Sequence, residues 1–163
     1  MSKFRLFCVA FLLLMASGAL SQEVHYDFDN TADFSKFKTY KWIALKSVAP
    51  IEKLTDEQIK AALDTALARK GLTKVDSDST VDLLIGYQTS ELIDEQFAFG
   101  NHRTVYSGDL AVDMFDPANH HHLIWRGIAS KTLDPKAKPE KRQKNLDKAV
   151  TKLMENYPPP AQK

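Results

Sequence analysis

Two alternating runs, TVYSGDLAVDMFD (104–116) and HLIWRGIASKTL (122–133), stand either side of the short segment PANHH (117–121). A chain that alternates apolar and polar residues buries one face of an extended strand and wets the other. Two such runs with so short a link between them fold back on each other as an antiparallel hairpin. Asp116-Pro117-Ala118-Asn119 has the chemistry of its turn, because the aspartate opens it and the proline presets the next backbone angle. Closing the turn over residues 117–120 sets Asp116 opposite His121. Met114 then meets Leu123 and Val112 meets Trp125 on the apolar face, while Phe115 meets His122 and Asp113 meets Ile124 on the other. A slip of one residue would turn one strand inside out, so this register is the expectation. It leaves Arg126 diagonal to Asp113 and placed to pair with it.

A hairpin alone is marginal in water and needs further strands and a cover. VHYDFD (24–29) alternates, with Val24, Tyr26 and Phe28 on one face, and TYKWIAL (39–45) puts Tyr40 and Trp42 on one face. VDLLIGYQT (81–89) reads as a buried strand entered from the polar loop DSDST. Residues 90–103 show no clear period and are read as a long loop or an irregular edge strand. Two helices supply the cover. In the first, Thr55 and Gln58 form a capping box and Leu54 and Ile59 a hydrophobic staple. Ile59, Ala62, Leu63, Ala66 and Leu67 make its apolar stripe, and Gly71 ends it. The second starts at Pro139, buries Leu146, Ala149, Val150, Leu153 and Tyr157, and stops before Pro158-Pro159-Pro160. The order ββαβββα predicts a two-layer α+β sandwich: a mainly antiparallel sheet of about five strands with both helices packed on one face.

The first 21 residues have a different character. Lys3 and Arg5 precede an apolar run from Leu6 to Ala16, and Ala19-Leu20-Ser21 offers a small-x-small cleavage site before Gln22. This is the layout of a secretory signal peptide. The run falls short of the roughly 20 apolar residues a spanning helix needs. Residues 22–163 then form one domain of about 140 residues, without a transmembrane segment. Cys8 is the single cysteine and leaves with the signal, so the exported chain has no thiol nucleophile, disulfide or cysteine-based metal site. With 22 Lys and Arg against 21 Asp and Glu, the charge balance argues against a nucleic-acid partner.

Few residues suggest chemistry. Along a strand His121 and His122 point opposite ways and His120 belongs to the turn, so three imidazoles cannot converge as zinc requires. His120 and His122 remain weak candidate metal ligands. Asp76-Ser77-Asp78-Ser79-Thr80 opens like a calcium loop, but Val81 and Tyr87 stand where glycine and glutamate are needed. The strongest surface feature is a stripe of Lys141, Lys144, Lys148 and Lys152 opposite the buried face of the last helix, suited to anionic lipid or an acidic partner. The sheet face around Asp113 and Arg126 is the other candidate surface. No nucleophile elbow or phosphate loop is present. No catalytic residue is nominated and no cofactor is implied.

The ordered set YDFDNTADFSKFKTYKW (26–42), GDLAVDMFD (108–116), LIWRG (123–127) and KAVTKLMENYPP (148–159) resembles the bacterial family called domain of unknown function 4136 (DUF4136). The resemblance implies an exported protein of a Gram-negative-type envelope with a compact α+β domain, and it assigns no catalytic residues. Many relatives look like lipoproteins. Here Cys8 sits inside the apolar segment, too near Arg5 for lipid attachment, which favours a soluble periplasmic protein or one associated with the outer membrane. The reading is a non-catalytic binding or scaffold module serving an envelope protein or an anionic lipid surface. The alternatives are a hydrolase with its site in residues 90–107, including His102 and Arg103, and weak metal binding through His120–His122.

Overall fold

The computed structural model describes residues 22–45, 51–75, 80–98 and 101–160, with side chains for all of these except 97, 98, 101 and 103. The expected signal peptide and most of the DSDST loop lie outside the described residues. Six strands make one sheet: β1 (Glu23–Phe28), β2 (Thr39–Trp42), β3 (Thr73–Lys74), β4 (Leu83–Ala98), β5 (Asn101–Asp116) and β6 (His122–Leu133). Helix α1 (Lys53–Arg69) links β2 to β3, and α2 (Pro139–Met154) follows β6. The spatial order is β1-β6-β5-β4-β2-β3. The first four neighbours are antiparallel, whereas β2 runs parallel to both β4 and β3.

The α+β architecture is as expected, but the sheet is mixed and has a sixth strand, so the order along the chain is ββαββββα. β3 is two exposed residues long, too short to show any period. A parallel pair needs a crossover connection, and α1 is the crossover between β2 and β3. Both helices pack on one face of the sheet. There Ile85, Val112, Met114 and Trp125 meet Leu63 and Leu67 of α1 and Val150 and Leu153 of α2 in a single buried cluster.

Helix α1 begins earlier than its sequence suggests. Its N-cap is Glu52, the Thr55 hydroxyl donates to the Glu52 carboxylate (3.3 Å), and Leu54 is exposed. Neither the capping box nor the staple forms. Asp56 anchors the first turn instead, accepting from the Tyr87 hydroxyl of β4 (2.5 Å) and from Lys60 Nζ (2.9 Å). The other end is as read. Gly71 takes φ +84°, Leu72 N donates to Leu67 O (3.1 Å) and Gly71 N to Ala68 O (3.0 Å), a Schellman stop.

The β5–β6 hairpin closes on a longer turn than four residues. Pro117–Asn119 form a 3₁₀ turn under the Asp116 carboxylate, which accepts from Ala118 N (2.9 Å), and His120 and His121 both take left-handed backbone angles. Asp116 therefore faces His122, not His121, and Phe115 faces Leu123. The register then shifts, because Ile124 is an extra residue on β6, a β-bulge. Met114 meets Trp125, Val112 meets Gly127 and Asp113 meets Arg126 directly rather than diagonally. Turn and bulge each add one residue. The partners differ from those expected, yet Met114, Val112 and Trp125 keep their faces.

Residues 90–98 and 101–103 are strand and not loop. They continue β4 and β5 as regular strands, and beyond Leu133, where β6 ends, the two form a projecting ribbon. Leu92 and Ile93, on opposite faces of the ribbon, are 61% and 68% exposed. Alternation fails there because both faces are wet. Glu91, Asp94 and Glu95 put three carboxylates on this stretch of β4, the kind of charge that discourages edge-to-edge pairing.

Candidate binding groove

Where the ribbon leaves the core, the sheet floor shows three rows of helix-facing residues across β4, β5 and β6. The pairing sets Thr89, Leu110 and Ala129 in the first row, Glu91, Gly108 and Lys131 in the second, and Ile93, Tyr106 and Leu133 in the third. The centre of this grid is a glycine, and the Leu133 side chain takes the space that a Cβ there would need. Leu133 leans over it, close enough that a Cβ on Gly108 would lie 2.9 Å from Leu133 Cδ1. Leu146 and Ala149 of α2 form one wall, Ile59 of α1 closes one end, and Pro135 and Ala137 complete the rim. The result is a groove of about 360 Å³, lined mainly by apolar surface, within the size range of small-ligand sites.

Its lip on the α2 side is cationic. Lys131 Nζ donates to Asn145 Oδ1 (2.8 Å). Burial pushes the Lys131 ammonium below the ordinary lysine value, and the nearby charges of Lys148 and Lys141 push the same way. Arg142 lines the groove, and its guanidinium has no hydrogen-bond or ion-pair partner among the described residues. The carboxylates nearby are largely engaged or turned away. Asp134 accepts from Lys141 Nζ (2.9 Å). Asp109 neighbours helix-facing Leu110 on β5, so it points to the opposite sheet face, where it accepts from Ser90 Oγ (3.0 Å). Glu91 is exposed two strands away from Lys131.

The four stripe lysines are all exposed on α2, as the sequence suggests. Lys141 is held by Asp134 and Lys152 donates to Gln22 O (2.6 Å), while Lys144 and Lys148 have no partner among the described residues. Asp113 is not an open surface group. It is 2% exposed, and Arg126 covers it with Nε on Oδ1 (2.6 Å) and Nη2 on Oδ2 (2.7 Å). Across β6, Asp27 sits on the other side of Arg126. The histidines are dispersed: His122 Nε2 lies 3.2 Å from Asp29 Oδ2, His102 Nε2 lies 3.5 Å from Glu95 Oε2 on the ribbon, and His120 is exposed in the turn. Among the described residues no three histidine, cysteine or carboxylate groups gather as an ion would need. No described helix is long and apolar enough to cross a membrane.

The groove residues Gly108, Lys131 and Arg142 were not singled out from sequence, although a signal exists. Gly108 is in phase with Leu110, Val112 and Met114, Lys131 with Trp125 and Ala129, and Arg142 with Leu146 and Ala149. A missing side chain and two cations in apolar phases mark where the inner face stops being core.

The family model described as "Domain of unknown function (DUF4136)" matches residues 24–159. The chain belongs to the DUF4136 family. A DUF4136 protein of known structure from Bacteroides thetaiotaomicron superposes with a TM-score of 0.58 at 15% identity, over 84% of this chain and 96% of that one. A PDZ domain protein from Parabacteroides distasonis gives 0.53 at 14% identity over 95% of this chain, which spans only 40% of that protein's length. The PelC dodecamer of Paraburkholderia phytofirmans gives 0.52 at 8% identity, over 82% of this chain and 99% of that one. Identities this low establish a shared fold and nothing of activity. No curated protein matches the sequence. The DUF4136 fold here is thus an α+β sheet whose far end carries the groove.

Proposed function

We propose that this DUF4136 protein is a non-catalytic binding module of the cell envelope, acting after export, with the groove under α2 as its ligand site. One observation carries the reading: a mainly apolar trough of about 360 Å³ stands open between α2 and the sheet, with cations on its lip. The lining supports a ligand site: mainly apolar surface between helix and sheet, with polar and charged groups at the rim. Export rests on the amino-terminal segment, with its basic head, apolar run and small-residue cleavage pattern.

A hydrolase would draw on the 90–107 segment, which borders the same groove. The groups lining it favour binding over turnover. Lys131 is tied to an asparagine amide, Arg142 is a permanent cation, and His102 sits out on the ribbon beside Glu95. Ser90 Oγ does donate to Asp109 (3.0 Å), but that pair projects from the sheet face turned away from α2. Among the described residues no other nucleophile with a partnered base borders the groove, as acyl or glycosyl transfer needs.

The test is photo-crosslinking in intact cells from a photoreactive residue at Leu146, with Lys53 on the exposed start of α1 as control. A discrete adduct from position 146 alone is the expected result. Equal labelling from both positions, or none from either, removes the groove as a working site.

A further inference from the structure

From the chemistry of the groove, and resting on the reading just given, we infer that its ligand is a single-chain amphiphile with an anionic head, of the fatty-acid type. The acyl chain lies in the trough between Leu133 and Leu146, and the head meets Lys131 and Arg142. Three observations select this class.

The first is the shape and lining. Leu133 lies over Gly108 on the floor, Leu146 and Ala149 face it from α2, and Leu133 is 38% exposed, apolar surface left uncovered at the mouth. A linear chain buries that surface.

The second is hydrogen-bonding capacity. The backbone groups of the floor are spent in the ladders β4–β5 and β5–β6. A peptide laid in the trough would bring amides that find few partners, and buried unpaired amides are costly. A hydrocarbon chain brings none.

The third is charge. The lip on the α2 side carries Lys131 and the unpartnered Arg142, with Lys148 behind them, while Asp134 is neutralised by Lys141 and Asp109 faces away. The Glu91 carboxylate, unpaired among the described residues, stands on the opposite side of the groove, two strands from Lys131. A cationic head would meet repulsion at the α2 lip, whereas a carboxylate meets a planar guanidinium suited to it.

The experiment uses the purified protein and laurate below its aggregation threshold, followed by isothermal titration and by amide and methyl chemical shifts. Dodecyltrimethylammonium, with the same chain and the opposite head charge, is the comparison probe. Laurate should bind one to one, move the signals of Gly108, Leu133 and Leu146, and bind at least tenfold tighter than the cationic probe. Lys131→Gln and Arg142→Gln should each weaken laurate about fivefold and leave the cationic probe unchanged or improved. Gly108→Val should abolish binding by driving the Leu133 side chain into the trough. Ala149→Leu should do the same from the helix side, so misfolding of one variant does not decide the matter. Equal affinity for both probes, or shifts away from the groove, overturns the inference. Laurate silence alongside a persistent cellular adduct at position 146 overturns the ligand class and spares the binding module. Silence in both removes the two together.

Discussion

Removing Arg126 is the sharpest probe of how the second face of the sheet is built. Asp113 is 2% exposed, and both its oxygens are held by one guanidinium at 2.6 and 2.7 Å. The Arg126 side chain is itself 46% exposed, so it acts as a lid with one side wet. Losing one partner of a fully buried pair costs about 3–5 kcal/mol because the other charge is stranded. In Arg126→Ala the removed lid also lets water reach Asp113, which recovers part of that cost and leaves an expected loss of about 2–4 kcal/mol. Arg126→Met is the telling variant. Methionine keeps an apolar cover over the carboxylate without a charge to satisfy it, so it should destabilise at least as much as alanine despite being the larger residue. Pure packing would predict the reverse order. For a domain of this length each kcal/mol moves the melting temperature by roughly 3–5 °C, so urea and thermal unfolding of purified variants resolve the ranking. A cycle with Asp113→Ala should show a coupling of about 2 kcal/mol. Methionine within about 1 kcal/mol of the parent, or a coupling near zero, would refute the argument.

Other sites give more local expectations. Gly71→Ala should cost about 1 kcal/mol through backbone strain alone, since φ is +84° and a Cβ there meets nothing within 4 Å; equilibrium unfolding reads it. His121→Gly relieves a left-handed non-glycine residue and should stabilise slightly, by about 0.5 kcal/mol after the entropy of glycine is counted. Gly127→Ala should lose about 1–3 kcal/mol by overpacking, because its Cβ would press on Trp125 and on Leu153 Cδ1 at 2.7 Å. Asp82 supplies an acid-dependent contribution. Burial pushes its carboxyl up, but hydrogen bonds from Lys38 N, Thr39 N and Thr39 Oγ1 (2.9 Å each) outweigh this and hold it below the ordinary carboxylate value. A lowered folded-state value gives stability that is complete above the unfolded value and is lost as pH falls through the lowered one. Asp82→Asn should therefore be less stable than the parent at pH 7 and nearly equal to it near pH 2, measured by urea unfolding at both. A gap unchanged by acid would show that the hydrogen bonds do not depend on the charge.

The sequence made some elements legible because a local pattern and a tertiary role coincided. The stripes of α1 and α2 bury Ile59, Leu63, Ala66, Leu67, Val150 and Leu153, while Ala62, Leu146 and Ala149 are half-buried and Tyr157 is buried just beyond the end of α2. Gly71 stops α1 because only a left-handed residue closes that end. Alternation around PANHH placed Met114, Val112 and Trp125 on the helix side, but the longer turn sets Leu123 beside Phe115 instead and the bulge puts Ile124 in the core cluster. Alternation did not fix the partners either, since periodicity is blind to a shift of two. The bulge at Ile124 and the longer turn, each one residue, combined to produce that shift. Thr55 looked like a cap because the capping-box spacing is local, yet the helix start is set from outside, by the Tyr87 hydroxyl reaching Asp56 from β4. Residues 90–103 read as either a loop or an irregular edge strand because both faces of the ribbon are wet, and a strand without a dry face has no period to show.

The groove was hidden for a related reason, since it belongs to no single segment. Its floor needs Glu91, Gly108 and Lys131 side by side, three residues from strands whose alignment depends on two antiparallel pairings. The basic stripe could be seen because four lysines recur on one helix face, but they lie on the wet side. The cations that matter to the groove are the two that break the apolar phase, Lys131 on β6 and Arg142 on α2. A charge in an inward phase must be paired, neutralised or given a mouth to water. Lys131 has only an amide for a partner, the Arg142 guanidinium has none among the described residues, and the fold gives them the mouth. An inward-phase charge at the end of a core stripe therefore marks such a site in the sequence of a sheet protein. In this chain the rule selects the end of the sheet where the exposed Leu133 lies over Gly108.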